Sequence, residues 1–223
     1  MIKRMGLFQR REDLTQTQFN AYWAKKHSPL VMRMPQFIRY TQNHRVDLLP
    51  NFTAQHPAFH IDGIAEMYWQ TEVQMLQDFN SQRAIELLRQ DECEFMSRIS
   101  VCLVDEAKLH GQQAELKILL CLSDVDALVS EKTLRQVLPN LAGIQRSDVQ
   151  QVMSRPQLPT LLDVPQQIFS LWYDQYAHVL ADFESESWQT FYAQNFQQIQ
   201  RISLLMVHPF KVRENNKEPP ERC

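Results

Sequence analysis

The sequence predicts an α+β fold built from two similar halves, each an antiparallel sheet with helices on one face. Two repeated segments carry this prediction. Asp78-Phe79-Asn80-Ser81 recurs as Asp182-Phe183-Glu184-Ser185, an offset of 104 residues (182 − 78). Arg98-Ile99-Ser100 recurs as Arg201-Ile202-Ser203, an offset of 103 residues (201 − 98). A nearly constant offset between separate matches indicates a duplicated unit.

The spacing of apolar residues predicts the elements of the first half. Residues 2–9 alternate as a strand, and Thr15 or Thr17 offers an N-cap to a helix whose apolar positions begin at Phe19. Pro29 should interrupt or kink this helix around residues 27–28, because proline lacks an amide donor and crowds the preceding turn. Strands are expected next at 37–46, 64–69 and 98–105, with a loop over 48–60 and helical spacing over about 71–89.

The second half repeats the order strand, helix, strand, strand, helix, strand. We expect strands at 115–122, about 143–154, 168–173 and 201–207, a short helix at about 127–138, and a helix at about 175–198 with a break near 184. This order is that of the ferredoxin-like arrangement. Two tandem ferredoxin-like repeats can pack their open sheet faces together as an α+β barrel within one chain, with a pocket between the sheets. The predicted division is a first domain at 1–106, a linker at 107–114, a degenerate repeat at 115–212 and a polar, disordered tail at 213–223.

Composition excludes several classes of function. The net charge of −3 offers no basic field for a nucleic-acid backbone, and no run approaches the ~18 apolar residues that a membrane helix needs. None of the four glycines falls in a dinucleotide- or phosphate-binding loop. The four cysteines show no Cys-x-x-Cys spacing, which argues against zinc and against a disulfide framework. We therefore expect a cytoplasmic protein with reduced thiols and no partner among nucleic acids or membranes.

His27 is the first candidate for chemistry. An imidazole titrates near neutral pH and can both give and take protons. The helix end disrupted by Pro29 leaves carbonyls that could orient one ring nitrogen. The alternative is that His27 caps this helix and packs on Trp23.

Strand alternation sorts the other polar candidates onto faces. Tyr40 and His44 share one face of the second strand and are the better pocket candidates, whereas Asn43 lies opposite. A solvated barrel rim is an equal alternative for His44 and the favoured one for Asn43. Glu66 shares a face with Asp62, and a carboxylate facing an apolar cavity would have a raised pKa and could act as a base. For Asp62 a turn role is favoured, since Asp-Gly is common turn chemistry.

Aromatic and histidine residues leave two further alternatives open. Tyr22, Trp23 and Trp69 could form the wall that a ring-shaped substrate needs, although aromatic residues at such spacing are more often core. His44, His56 and His60 invite a metal site, but no partner shows helical ligand spacing. We predict no bound metal.

Several of these residues fall in motifs that resemble a known family. The pattern Phe19-x-x-Tyr22-Trp23-x-x-x-His27-x-Pro29-Leu30 resembles the first-helix signature of the EthD-like family of dimeric α+β barrel proteins. The resemblance covers about residues 1–106 and continues through Pro35, Tyr40, Gln42-Asn43-His44, Asp62-Gly63-Ile64-Ala65-Glu66 and Val104-Asp105-Glu106. The second half resembles the fold only loosely and lacks an equivalent of His27.

The resemblance implies both an architecture and a chemistry. Family members usually pair two subunits, so this chain is expected to make the pair internally, and a homodimer of the fused barrel stays open. The family is associated with ether degradation and with tailoring of aromatic polyketides, generally without a tightly held cofactor. The resemblance therefore implies cofactor-independent acid/base chemistry, such as dehydration, isomerisation or cyclisation, on a small apolar aromatic or carbonyl compound.

The candidate residues follow from these arguments together. The predicted catalytic residues are His27, Glu66, Tyr40 and His44, and the predicted substrate-binding residues are Tyr22, Trp23, Trp69, Asn43 and Asp62. Two alternatives are an oxidative enzyme of the monooxygenase or haem peroxidase type from the same barrel group, and a non-catalytic ligand-binding or assembly module.

Overall fold

Eight strands and seven helical segments make up the described part of the chain. The computed structural model describes residues 1–47, 60–80, 82–109, 114–123, 140–154, 164–195 and 201–214. The strands are β1 Ile2–Arg10, β2 Arg39–Asp47, β3 Gly63–Trp69, β4 Met96–Leu109, β5 Leu116–Ser123, β6 Ile144–Ser154, β7 Gln167–Tyr173 and β8 Arg201–Glu214. The α-helices are α1 Gln16–Tyr22, α2 Ser28–Val31, α3 Glu72–Asn80, α4 Gln82–Phe95, α5 Tyr176–Glu184 and α6 Glu186–Asn195, and a π-helical turn spans Trp23–His27.

The strands form one closed antiparallel barrel. Its order is β1-β3-β2-β8-β5-β7-β6-β4, and β4 returns to β1. Each half contributes four consecutive strands in the same relative order, with the first strand between the fourth and the third. The pairs β2–β8 and β4–β6 join the halves through backbone hydrogen bonds. The predicted α+β barrel within one chain is confirmed.

The first helical region shows how Pro29 shapes the chain. Thr15 caps α1, because its side chain accepts from the amide of Gln18 while the Gln18 side chain returns to the amide of Thr15. Pro29 has no amide to offer to a carbonyl of the preceding turn. The backbone widens just before it, and the amide of Ser28 bonds the carbonyl of Trp23, five residues back. The predicted interruption at 27–28 thus takes the form of a π-helical turn that ends at His27.

Three apolar clusters hold the layers together. The first-half cluster lies between the sheet and helices α1 to α4, and it includes Phe8, Phe19, Trp23, Phe37, Met67, Trp69 and Phe95. The second-half cluster lies under α5 and α6, and it includes Leu120, Phe169, Tyr173, Phe183, Trp188 and Phe191. The third draws on six strands from both halves and fills the barrel interior with Met5, Leu7, Ile64, Cys102, Leu119, Cys121, Ile168 and Val207.

The expected pocket between the sheets is not found in the described part of the chain. The barrel interior there holds the third apolar cluster and a layer of buried charged residues, among them Lys3, Glu66 and Lys117. A closed barrel of eight strands is narrow enough to be filled by its own side chains. Because the sheets join edge to edge, their facing side chains meet in the middle.

Most element boundaries lie within a few residues of their predicted positions. The predicted helix at 71–89 is two helices that run on to Phe95, and β4 continues to Leu109, into the stretch predicted as a linker. The predicted break near 184 occurs at Ser185, between α5 and α6. The predicted helix at 127–138, most of the loop at 48–60 and most of the tail lie outside the described residues. Within the described ranges, no helix has the length and apolar character needed to cross a membrane.

Candidate functional site

His27 forms a buried pair with an aspartate of α4. Its side chain is 5% exposed, and Nδ1 lies 2.7 Å from Oδ2 of Asp91. The hydroxyl of Tyr22 donates to Oδ1 of the same carboxylate at 3.0 Å. The imidazole packs against Phe95, with ring centroids 5.0 Å apart. His27 makes no side-chain capping bond to α2, so its observed partners differ from those of the capping alternative.

Two carboxyl groups and a tyrosine hydroxyl lie near this imidazole. Burial raises the pKa of Tyr22 to about 12, and the bond to Asp91 adds to the effect. Burial also raises the pKa of Glu92 above its usual range, although His27 and Arg4 oppose it. An aspartate bonded to Nδ1 fixes the tautomer of the ring and stabilises the imidazolium that forms when Nε2 takes a proton. Within the described residues nothing hydrogen-bonds Nε2 of His27.

Tyr40 and His44 lie with Trp23 in a buried hydrogen-bonded chain. The indole of Trp23 donates to the Tyr40 hydroxyl at 3.1 Å, and Nε2 of Gln42 donates to the same hydroxyl at 2.8 Å. Nε2 of His44 lies 2.8 Å from Oε1 of Gln42. Burial raises the pKa of Tyr40 far above its usual value, and burial with nearby His208 lowers the pKa of His44 to about 4. Both side chains are therefore neutral at neutral pH.

Glu66 lies inside the barrel, where two lysines surround it. Its carboxylate accepts from Lys3 at 3.2 Å, from Lys117 of the second half, and from Nδ2 of Asn43 at 2.9 Å. Burial acts to raise the pKa of Glu66, but Lys117 and Lys3 outweigh it and hold this pKa well below its usual range. The predicted raised pKa is wrong, because the carboxylate faces cations rather than an apolar cavity.

Three predicted substrate-binding residues take separate positions. Asn43 lies opposite Tyr40, as predicted, but it is fully buried in the barrel, so the solvated-rim alternative is wrong. The indole of Trp69 donates to Oδ2 of Asp78 at 2.8 Å within the core. Asp62 is 1% exposed, and it accepts from the amide of Arg10 at 3.0 Å rather than simply shaping a turn.

Asp62 also lines a cavity at one end of the barrel. This cavity has a volume of about 330 Å³ and is lined by Gln9, Arg10, Glu12, His60 and Asp62. Nε2 of His60 lies 2.9 Å from Oδ1 of Asp62. The cavity therefore presents a second imidazole–carboxylate pair.

The structure distributes the predicted site residues over several places. Tyr22 lies with His27, and Trp23 lies with Tyr40 and His44. Sequence reasoning missed three partners, which are Asp91, Lys3 and Lys117. No local signal marks Asp91, which lies beyond the predicted end of its helix at 89.

The described side chains offer little to a metal ion. Across these ranges, no group of three or more His, Cys, Asp and Glu side chains is placed to hold one. His56, one of the histidines considered for such a site, lies outside the described residues.

Comparisons with known proteins bear on both the first half and the whole fold. Residues 11–99 match the family model described as the EthD domain. An anthrone oxidase-like protein superimposes with a TM-score of 0.61 at 9% identity, covering 95% of this chain and 93% of its own. A monooxygenase assigned by similarity from Fusobacterium nucleatum gives 0.53 at 8% identity, with 96% and 94% covered. A chlorite dismutase variant from Candidatus Nitrospira defluvii gives 0.50 at 11% identity, with 95% and 91% covered.

The sequence match and the structural similarities support different conclusions. No curated protein sequence matches the chain. At such low identities the solved structures show the α+β barrel fold alone, whereas the family model matches the sequence itself over the part that contains His27. The first half of the chain therefore matches the EthD domain over residues 11–99, and the described chain as a whole has the α+β barrel fold.

Proposed function

We propose that this chain is a cofactor-independent enzyme that transfers protons on a small apolar aromatic or carbonyl compound, with His27 as the acid/base. The observation that carries the proposal is the 2.7 Å contact between Nδ1 of His27 and Asp91. A histidine held on a buried carboxylate is the arrangement that prepares the far ring nitrogen to accept a proton.

Each neighbouring residue has a role in this proposal. Asp91 acts as a positioning residue that keeps the proton of the resting imidazole on Nδ1 and leaves Nε2 as the base. Tyr22 donates to the second carboxylate oxygen of Asp91 and so fixes its rotamer. Phe95 is fully buried, and it packs on the imidazole and stacks on Tyr22, so the two rings hold the base in position.

The other predicted catalytic residues have supporting roles in the proposal. Tyr40 and His44 stay neutral at neutral pH and hold the indole of Trp23 through their shared bonds with Gln42. Glu66 stays ionised between Lys3 and Lys117. A group whose protonation state does not change near neutral pH is a poor proton shuttle.

An oxidative reaction is the second candidate, and the anthrone oxidase-like and monooxygenase-like structures favour it. It would begin with the same step, because removing a proton from an aromatic ketone leaves an electron-rich carbanion that dioxygen can oxidise. His27 would then be the base in both reactions. The two differ only in whether dioxygen is consumed.

The described residues do not fit a haem version of this chemistry. The layer between the second-half sheet and helices α5 and α6 is filled by aromatic side chains that are 3% exposed or less, namely Tyr173, Phe183, Trp188 and Phe191. In the first half, the imidazole of His44 bonds Gln42 and packs on Trp23, with ring centroids 4.7 Å apart. That nitrogen is occupied and the ring face is covered, so we derive no step through haem.

Binding of candidate substrates tests the proposal. Thermal denaturation of the wild type would be measured against a panel of aromatic ketones, phenols and lactones that includes anthrone. We expect at least one compound to raise the melting temperature, and His27→Gln to lose that shift while melting normally without ligand. His178→Gln is the matched control, because His178 pairs with Asp174 at 2.8 Å but is exposed.

Oxygen consumption with any stabilising compound then separates the two reactions. Uptake of dioxygen that depends on His27 favours the oxidative candidate, and turnover without uptake favours the proton-transfer enzyme. If no compound shifts either protein and His27→Gln simply melts lower, His27 is structural and the protein is better described as a binding or assembly module.

A further inference from the structure

The cavity at the barrel end belongs to no part of the proposed proton-transfer site. It opens where β1 ends and β3 begins, and its volume is about 330 Å³. None of its five lining residues is a described partner of His27 or Asp91. A cavity of this size accommodates a small organic molecule.

Asp62 anchors the floor of this cavity. Its Oδ2 accepts from the amide of Arg10 at 3.0 Å, and its Oδ1 lies 3.2 Å from Nη1 of Arg45 and 2.9 Å from Nε2 of His60. Burial acts to raise the pKa of Asp62, but the bonds to His60 and Arg10 outweigh it and lower the pKa overall. Asp62 is therefore ionised, and the cationic groups around it already balance its charge.

Arg10 and His60 present nitrogen atoms on the cavity wall. The guanidinium of Arg10 is held in place because Nη1 donates to the carbonyls of Arg11 and Leu14. Nη2 of Arg10 and Nδ1 of His60 have no hydrogen-bond partner among the described residues. Their side chains are 31% and 29% exposed, so both can be reached by a ligand.

We propose that this cavity binds a small organic monocarboxylate, held by the guanidinium of Arg10 and the imidazole of His60. One carboxylate oxygen can accept from Nη2 of Arg10, and an N–H at Nδ1 of His60 can donate to the same carboxylate. The amide of Gln9 in the same wall offers a further donor. Glu12 adds negative charge to that wall, which disfavours ligands of higher charge such as phosphate.

A titration followed by NMR tests this proposal on the intact chain. Benzoate is the probe, and the histidine ring signals are observed. We expect a saturable shift of the His60 signal, with half-saturation below about 10 mM, and no comparable shift for the exposed His178. His60→Gln and Arg10→Gln should each weaken benzoate binding at least about tenfold, whereas His178→Gln should bind as the wild type does.

Several results would overturn the proposal. These are a His60 signal that moves linearly without saturation, equal movement of the His178 signal, wild-type affinity in Arg10→Gln, or phosphate that binds as tightly as benzoate. Because Arg10 also holds the chain after β1, Arg10→Gln could unfold. In that event the wild-type titration and His60→Gln decide the outcome, since both keep the Arg10 contacts.

Discussion

At the scale of single residues, the partner of a buried imidazole decides what it can do. His27 and His44 are both buried over the first-half sheet, but His27 faces a carboxylate and His44 faces an amide oxygen. A carboxylate stabilises the protonated form of the ring. An amide oxygen carries no full charge, so the effect of burial dominates and favours the neutral form. This difference assigns the proposed acid/base role to His27, although both lie in the matched motifs.

The low pKa of His44 predicts a dependence of stability on pH. The native state keeps His44 neutral down to about pH 4, while the unfolded state gains a proton near its ordinary pKa of 6.5. The unfolded state binds more protons in this window, so stability should be complete above pH 6.5 and should fall as the pH drops from 6.5 to 4. His44→Gln should flatten this part of a urea-unfolding profile against pH. An unchanged slope in the variant would show that His44 titrates normally in the folded protein.

Glu66 is a predicted base, but its contacts are those of a buried ion pair with a structural role. It lies between Lys3 and Lys117, whose side chains are 4% and 1% exposed. Removing one partner of a buried ion pair leaves the remaining charge without compensation and is strongly destabilising. Because Lys117 comes from the second half, this cluster also ties the two halves together.

Neutralising Glu66 should therefore be costly. We expect Glu66→Gln to lower the free energy of unfolding by about 3–5 kcal/mol, and Lys117→Met in the same chain to recover part of the loss. Asp13→Asn is the control, because Asp13 pairs with Arg11 on the surface, where solvent screens the pair, and its loss should cost far less than that of Glu66. Equal costs for Glu66→Gln and Asp13→Asn in denaturant unfolding would contradict the assignment.

At the scale of elements, the π-helical turn sets the direction of the His27 side chain. The wide turn Trp23–His27 ends one residue before Ser28-Pro29, and it rotates His27 toward α4, where Asp91 lies. π-helical turns often occur at functional positions. The same proline that predicts a broken helix from sequence thus positions the proposed base.

Replacing Pro29 tests this link between element and site. Pro29→Ala restores an amide that can bond in the regular helical pattern, so we expect the turn to shorten and the contact between His27 and Asp91 to be lost. The global melting temperature should change little, while the Nδ1 proton signal of His27 in NMR should broaden or disappear. A retained signal with unchanged shift would show that Pro29 does not set the ring position.

The repeated Asp-Phe segments also have an explanation at this scale. Asp78 accepts from the amide of Gln36 and the indole of Trp69, and Asp182 accepts from the amide of Gly143. Each aspartate ties a helix to the chain that leads into the second strand of its half. These side chains therefore recur for structural reasons, which the sequence repeat alone could not distinguish from a repeated site.

At the scale of the whole molecule, one set of strand positions corresponds between the two halves of the barrel. The paired positions place a lysine and an arginine beside an aromatic ring in each half, which are Lys3, Arg39 and Tyr68 in the first and Lys117, Arg146 and Trp172 in the second. Glu66 in the first half corresponds in register to Ser170 in the second, since Met5 and Leu119 face them. The second half therefore keeps the cationic and aromatic positions of the first but lacks its central carboxylate, and the tandem repeat stays a prediction.

The sequence predicted the strands and helices of this fold better than the contacts between them. Strand alternation correctly separated Asn43 from Tyr40, because side-chain direction is a local property of a strand. The alternation pattern could not show that the sheets close edge to edge or that Asp91 contacts His27, which lies 64 positions away. Those contacts depend on how distant elements pack, which no local pattern records.

Hydrogen exchange into a substrate would show whether His27, held on Asp91, transfers protons. Anthrone would be incubated anaerobically in heavy water with each protein, and deuterium entering its methylene group would be measured. We expect the wild type to accelerate exchange, His27→Gln to lower this rate about 100-fold or more, and Asp91→Asn to lower it about tenfold. Exchange at the wild-type rate in a folded His27→Gln variant would show that His27 is not the base.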